Sequence, residues 1–339
     1  MSNRWKHRPD GSNWGDFGAD DQLGRVNLLT AERVRRAAEE VREGLNFCLS
    51  LPLDYPGGAV LNPRRHPPQL SPTYLDDNAY MNFPLERVDP NNNDVVSDDQ
   101  VRITLQYSTQ WDSLAHVGAW FDADGDGEPE KVYYNGYRAG EHVLGPDDGV
   151  GEHVGARALS VDNFATKPLQ GRGVLVDLGH HFGRERKVVT MDDLQRVMDA
   201  DGVEVEAGDI LVLRTGFSEM ILEMNKQPVK DLLDRSCAAL DGRDERLLRW
   251  ITDTEIAAIA ADNYAVEQFP AGPKDGRRPA LPLHELCLFK LGVPLGELWY
   301  LKELAEWLRD NERNRFLLTA PPLRLPGAVG SPVTPVATV

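Results

Sequence analysis

The sequence predicts an α/β fold, and three observations carry that expectation. Val174–Leu178 and Ile210–Leu213 are short, continuous apolar runs of the kind that form buried strands. Between them, Thr190-Met191-Asp192-Asp193 opens a helical pattern through Leu194, Val197 and Met198 that stops at Gly202. Further on, Leu247–Ile251 reads as a helix feeding a strand at Ile256–Ala261. Strands that alternate with helices favour helices packed on a sheet over an all-β arrangement.

The remaining elements follow in chain order. Residues 1–25 are loop-like, dense in Gly, Asp and Trp around Trp14, Gly15, Phe17 and Gly18. Thr30 is placed as the N-cap of a helix from Ala31 to about Glu43, with Gly44 as its stop. Residues 54–99 hold Pro63, Pro67, Pro68 and the run Asn91-Asn92-Asn93, and read as a long connection of the functional or mobile kind. Val101–Tyr107 alternates imperfectly, as a strand would. The tail from Phe316 to Val339 is loop-rich but apolar, so it is expected to pack on the body. No shift in composition marks a boundary. The expectation is one domain over 1–339, with an N-terminal arm and helix (1–53), a long loop (54–99) and a catalytic body (100–339).

Composition narrows the function. The 339 residues include 37 Lys+Arg against 54 Asp+Glu, a formal charge of −17, which argues against nucleic acid or an anionic membrane surface as partner. Cys48, Cys237 and Cys287 stand at no paired or metal-like spacing, as expected of a protein of the reducing cytoplasm. The N-terminus has no apolar signal core, and no apolar run reaches the ~18 residues of a membrane span. Neither a Gly-x-Gly-x-x-Gly after a strand nor a Walker lysine is present, so dehydrogenase and NTPase readings lack support.

Three groups of residues could carry chemistry. Asp122-Ala-Asp124-Gly-Asp126-Gly127 opens like a calcium loop, but Tyr133 occupies the place of the closing Glu, and a solvated turn is the favoured reading. His180-His181 follows a strand, yet neighbours on a strand face opposite ways and do not share an ion; His7, His66, His142 and His153 read as surface residues. The third group is Gln106-Tyr-Ser-Thr-Gln110-Trp-Asp112-Ser-Leu-Ala-His116. In extended backbone Gln110 and Asp112 share a face, and amide oxygen, carboxylate and imidazole together suit a hard or borderline divalent ion. Taken alone, an edge strand running into a polar loop explains this segment equally well.

Downstream, Leu281-Pro-Leu-His284 and Gly296-Glu297-Leu298 add a histidine and an acid 13 residues apart. With these the chain resembles the metal-dependent cyclase superfamily, which contains bacterial kynurenine formamidase, isatin hydrolase and trans-dienelactone hydrolase. That family's hallmark is His-x-Gly-Thr-His-x-Asp-x-Pro-x-His with a later His and Glu or Gln. Gln106 and Gln110 stand where its first two histidines fall, Asp112 on the aspartate and His116 on the last histidine. Asn13–Gly18, Tyr134–Gly136, Arg172–Asp177, Gly208–Gly216, Asp262-Asn263 and Gly330–Pro332 also look like family segments.

The resemblance implies a mixed-sheet α/β domain of the swivelling β/β/α kind, assembled as a homodimer or homotetramer. It implies one divalent ion held by Gln106, Gln110, Asp112, His284 and Glu297, with Mn²⁺ ahead of Zn²⁺ because amide oxygens replace imidazoles. Such an ion would activate a water against a cyclic amide, lactone or N-acyl bond of a small aromatic or alicyclic substrate. His116 is the expected proton carrier, its alternative being a histidine that only orients Asp112. Tyr107, Trp111, Trp120 and Phe121 are the expected aromatic contacts to substrate. Two other functions stay open: an arylformamidase acting on N-formylkynurenine, and a non-catalytic small-molecule binder whose metal site has decayed.

Overall fold

The computed structural model describes residues 4–149, 151 and 154–339. Its centre is one nine-stranded mixed sheet. The strands are β1 (Asn46–Cys48), β2 (Gln110–Asp112), β3 (Gln170–Asp177), β4 (Ile210–Arg214), β5 (Ala258–Ala261), β6 (Leu295–Glu297), β7 (Arg315–Thr319), β8 (Gly330–Pro332) and β9 (Val336–Thr338). They lie in the order β1-β9-β7-β3-β4-β5-β6-β2-β8. The four central strands β3, β4, β5 and β6 run parallel, and antiparallel strands flank them on both sides. Burial explains the middle: Val174, Val176, Ile210, Leu211, Val212 and Ile256–Ala261 are completely buried, as strands covered on both faces require.

Helices α1 (Ala31–Ala38), α2 (Met191–Asp201), α3 (Phe217–Glu223), α4 (Glu245–Thr254) and α5 (Lys302–Asp310) surround this sheet. Thr190 caps α2 in a reciprocal box with Asp193, and Gly202 ends it in the left-handed conformation. Thr30 caps α1 through the Arg33 amide, but the helix stops at Ala38. Arg313 takes the Glu40 carbonyl, and the amides of Glu43 and Gly44 bond to Val339 O, so tertiary contacts claim the chain before Gly44.

The sheet curls. Just beyond β1, Ser50 bridges Trp299 just beyond β6, and the Leu51 amide donates to Thr109 Oγ1 at 2.9 Å. The N-terminal segment docks onto the body through Trp14, whose Nε1 donates to Phe289 O at 2.8 Å. There Gly24, at φ +57°, meets Gly292 so closely that a Cβ would sit 2.2 Å from its carbonyl oxygen.

Three expectations change. Residues 54–99 are not plain loop: Gln69–Pro72 pairs with Asp99–Arg102, and shorter pairs nest inside, forming a projecting antiparallel arm. The strand expected over Val101–Tyr107 therefore covers Asp99–Arg102, and the chain turns at Thr104–Tyr107. The tail is also more regular than its prolines suggest, since it supplies β7, β8 and β9. No helix among the described residues is long and apolar enough to cross a membrane.

Candidate metal centre

Strands β2 and β6 build the site. Gln110 pairs with Glu297 and Trp111 with Gly296, so Gln110, Asp112 and Glu297 present their side chains to one face of the sheet. His284 arrives at the same place on the short helical turn Pro282–His284, which runs into a π-helical stretch, Glu285–Leu291. Asp112, His284 and Glu297 each offer a ligand atom, all within 4.8 Å of one another. All three are buried, as is Gln110.

The contacts inside this group do not use all of its polar atoms. Gln110 Nε2 donates to Asp112 Oδ1 at 3.2 Å and to Glu297 Oε2 at 3.4 Å. His284 Nε2 lies 3.3 Å from Glu297 Oε1. Among the described residues, buried Gln110 Oε1 and Asp112 Oδ2 find no hydrogen-bond partner. Unpaired buried oxygens are costly, and a divalent ion is the partner that two carboxylates, an amide oxygen and an imidazole together suit. The residues fit the ion that the motif implies.

The electrostatics agree. Burial raises the pKa of Asp112, and nearby Glu297 adds to the rise against the pull of His116. Burial works against charge on Glu297 too, but its bond to His284 wins and lowers its pKa. For His284 burial is likewise outweighed, and hydrogen bonds to Glu267 and Glu297 lift its pKa to about 10. Three buried carboxylates, Asp112, Glu267 and Glu297, thus crowd around one buried histidine.

Glu267 gave no signal in the sequence, because it sits in an irregular segment 17 residues before its partner. It is completely buried. Its carboxylate accepts from the amides of Leu283 and His284, at 3.0 and 2.9 Å, and lies 2.8 Å from His284 Nδ1. Engaging Nδ1 this way turns Nε2 into the centre, the arrangement by which carboxylates orient metal-binding histidines. Arg65 also went unremarked. It is half-buried, its Nη1 donates to Gln106 O at 2.8 Å, and its charge acts on both Asp112 and Glu297.

The other candidate residues fall in different places. Gln106 packs against Gly330, where a Cβ would meet its Nε2 at 2.4 Å. Because Gly330 pairs with Asp112 in register, this puts the Gln106 amide on the face of the candidate ligands. His116 Nε2 stands 3.8 Å from Asp112 Oδ1, beyond hydrogen-bonding reach. Trp111 is a correction: one residue along the strand from Asp112, it faces the opposite side. There it is fully buried, edge-on to Trp299, with Nε1 donating to Ala320 O at 2.8 Å.

Tyr107 is buried, and its hydroxyl accepts from Gly57 N and donates to Gly58 O while its ring lines a cavity with Arg65. Trp120 is exposed and walls a separate cleft of about 450 Å³ between Val117 and Leu281. Phe121 packs edge-on against Trp14 and Phe289, in the role of a core side chain.

Elsewhere, Asp122, Asp124 and Asp126 spend their oxygens on the backbone amides of residues 125–128, as a polar turn does. His180 and His181 lie in a helical turn rather than on a strand, and His181 Nε2 is 2.9 Å from Asp201. His142 is half-buried rather than on the surface, its Nδ1 accepting from the Arg138 amide. His153 lies outside the described residues.

Fold and site together define a mixed-sheet α/β protein with a buried candidate centre for a divalent metal. The Cyclase family model matches residues 49–268. A crystal structure described as a novel cyclase is 32% identical, covers 97% of this chain and 97% of its own, and superposes with a TM-score of 0.73. The chain belongs to the cyclase family. Isatin hydrolase A from Ralstonia solanacearum shares the fold at 16% identity, with 91% of this chain and 95% of that chain covered and a TM-score of 0.55. An isatin hydrolase bound to the product analogue thioisatinate does so at 12% identity, with 91% and 99% covered and a TM-score of 0.53. No curated protein matches the sequence.

Proposed function

We propose that this chain is a metal-dependent hydrolase that opens a cyclic amide, lactone or N-acyl bond in a small aromatic or alicyclic compound. The observation that carries the reading is the convergence of Asp112, His284 and Glu297 beside two oxygens, of Gln110 and Asp112, that find no partner among the described residues. Bound there, a divalent ion would polarise a carbonyl and make water a nucleophile near neutral pH. Asp112, His284, Glu297 and Gln110 would hold it, with Gln106 beside them. Mn²⁺ ranks ahead of Zn²⁺, since oxygen donors outnumber the single imidazole.

The chain's own groups then have distinct tasks. Glu267 fixes the His284 ring, and the Gln110 amide keeps the two carboxylates from turning away. His116 Nε2 makes no bond to Asp112, so it is free to take a proton from the attacking water and return it to the leaving nitrogen or oxygen. Of the four aromatic contacts expected, Tyr107 and Trp120 are the two that line cavities and could meet a substrate ring. We place the protein in the cytoplasm, where its three free thiols stay reduced, and assign it a second copy of itself as partner.

The test is purified protein assayed for bound metal and for turnover of N-formylkynurenine, isatin, dienelactones and aryl esters. A stoichiometric ion, with activity lost to EDTA and restored better by Mn²⁺ than by Zn²⁺, is the expected outcome. Ion binding without turnover of any panel member would favour a non-catalytic binder. Turnover that survives complete metal removal would overturn the metal-dependent reading.

A further inference from the structure

We propose that Arg65 is the residue that selects substrates by charge: it binds a carboxylate of the substrate beside the metal centre. The inference rests on the hydrolase reading for its setting, but its geometry stands separately. Arg65 is held in place by one bond, Nη1 to Gln106 O at 2.8 Å. No carboxylate lies within ion-pair distance of it among the described residues, and no hydrogen bond engages its Nε–Nη2 edge. That edge is the one that grips a carboxylate two-pronged.

The surroundings fit the charged head of such a ligand. Arg65 lines a narrow cavity with Ala59, Val60, Leu61, Tyr107 and Tyr264 whose free space of about 10 Å³ seats one small polar group and leaves the carbon skeleton outside it. Its guanidinium lies 5.8 Å from the Tyr264 ring centroid, which keeps the charge over a favourable face. Leu298, beside the candidate ligand Glu297, closes the same cavity. An anion approaching a chain of net charge −17 meets repulsion, and more so beside Asp112, Glu297 and Glu267. Arg65 is the cation placed to offset it.

The test uses binding, so it does not depend on turnover. Phenylacetate and phenylacetamide have the same shape and differ in charge; calorimetry would compare them on Mn²⁺-loaded wild type, Arg65→Gln and Arg65→Lys. Wild type should prefer the acid by tenfold or more. Arg65→Gln should weaken the acid by about 10–100-fold and leave the amide within about twofold. Arg65→Lys should keep part of the preference, and it also guards against misfolding of the glutamine variant.

Absence of an acid preference in wild type would overturn the proposal. So would a preference that survives Arg65→Gln, because the acid would then be held by the ion alone, and so would equal loss of both ligands. The two readings fail separately: acid preference without hydrolysis counts against the enzyme, and hydrolysis without acid preference counts against Arg65.

Discussion

At the scale of single residues, the centre divides into what the sequence displayed and what it concealed. Gln110 and Asp112 were legible because a two-residue step on a strand puts side chains on one face. The same rule should have removed Trp111 from the substrate contacts, since it sits at the odd position and packs against Trp299. Glu267 and Arg65 were invisible because each acts through a fold contact, to His284 and to Gln106 O, that no local pattern encodes. The placement of His116 leads to a measurable split. If it carries protons, His116→Ala keeps its metal but turns over about 10²–10⁴-fold more slowly, and saturating metal does not rescue it. Glu267→Gln should do the opposite, lowering metal affinity by roughly 10–100-fold with much of the activity recovered in excess metal. Metal content and kcat measured side by side on both variants check this, and wild-type turnover in His116→Ala would make that histidine structural.

Among elements, a helix with both ends marked in its own residues was the easiest to read. Helix α2 has its start, apolar stripe and stop within its own residues, and it forms where they put it. Helix α1 ends early because Arg313 and Val339, from the far end of the chain, take its backbone groups. Strands β7 to β9 were hidden for a related reason, since their pairing partners include β3, β2 and β1 rather than neighbours in sequence. The α2 cap makes a prediction about pH. Burial of Asp193 opposes its charge, but bonds from Lys187, Thr190 and Arg196 prevail and hold its pKa down to about 2. A depressed carboxylate pKa contributes stability that is fully present above the unfolded value of about 3.9 and is lost as pH falls toward 2. Asp193→Asn should therefore unfold at lower urea than wild type at pH 6, and the gap should close between about pH 4 and pH 2. Thr190→Ala removes the other half of the box and should cost about 1 kcal/mol. A gap for Asp193→Asn that is constant with pH would mean its role is packing rather than charge.

On the scale of the whole molecule, the arm and the candidate metal centre make different demands. Leu70, Tyr74, Leu75 and Val101 lie exposed on the arm, an apolar surface that one copy of the chain leaves in water. If a second copy covers it, light scattering should give a dimer or tetramer mass, and Leu70→Asp with Val101→Asp should shift the mass toward monomer. Leu70 and Val101 face each other across the arm, so two aspartates there repel and weaken its pairing, while the melting temperature of the core, in which neither side chain is packed, should change little.

In the candidate metal centre Asp112 and Glu297 are buried close together, an arrangement that costs stability unless a cation offsets it. An ion that binds the folded chain alone stabilises it by about 2.7 kcal/mol at a hundredfold excess over its dissociation constant, a rise of several degrees in melting temperature. Wild type stripped with EDTA should therefore melt lower than Mn²⁺-loaded protein. Asp112→Asn should show no Mn²⁺ shift, because the ligand carboxylate is gone. Without metal, that variant should melt at or above wild type, since it removes a buried carboxylate beside Glu297 while keeping the side chain's volume. Melting curves of both proteins with and without the ion decide between two roles for Asp112. If Asp112→Asn melts well below wild type in EDTA, the carboxylate supports the fold itself, and its convergence with His284 and Glu297 is structural rather than a metal site.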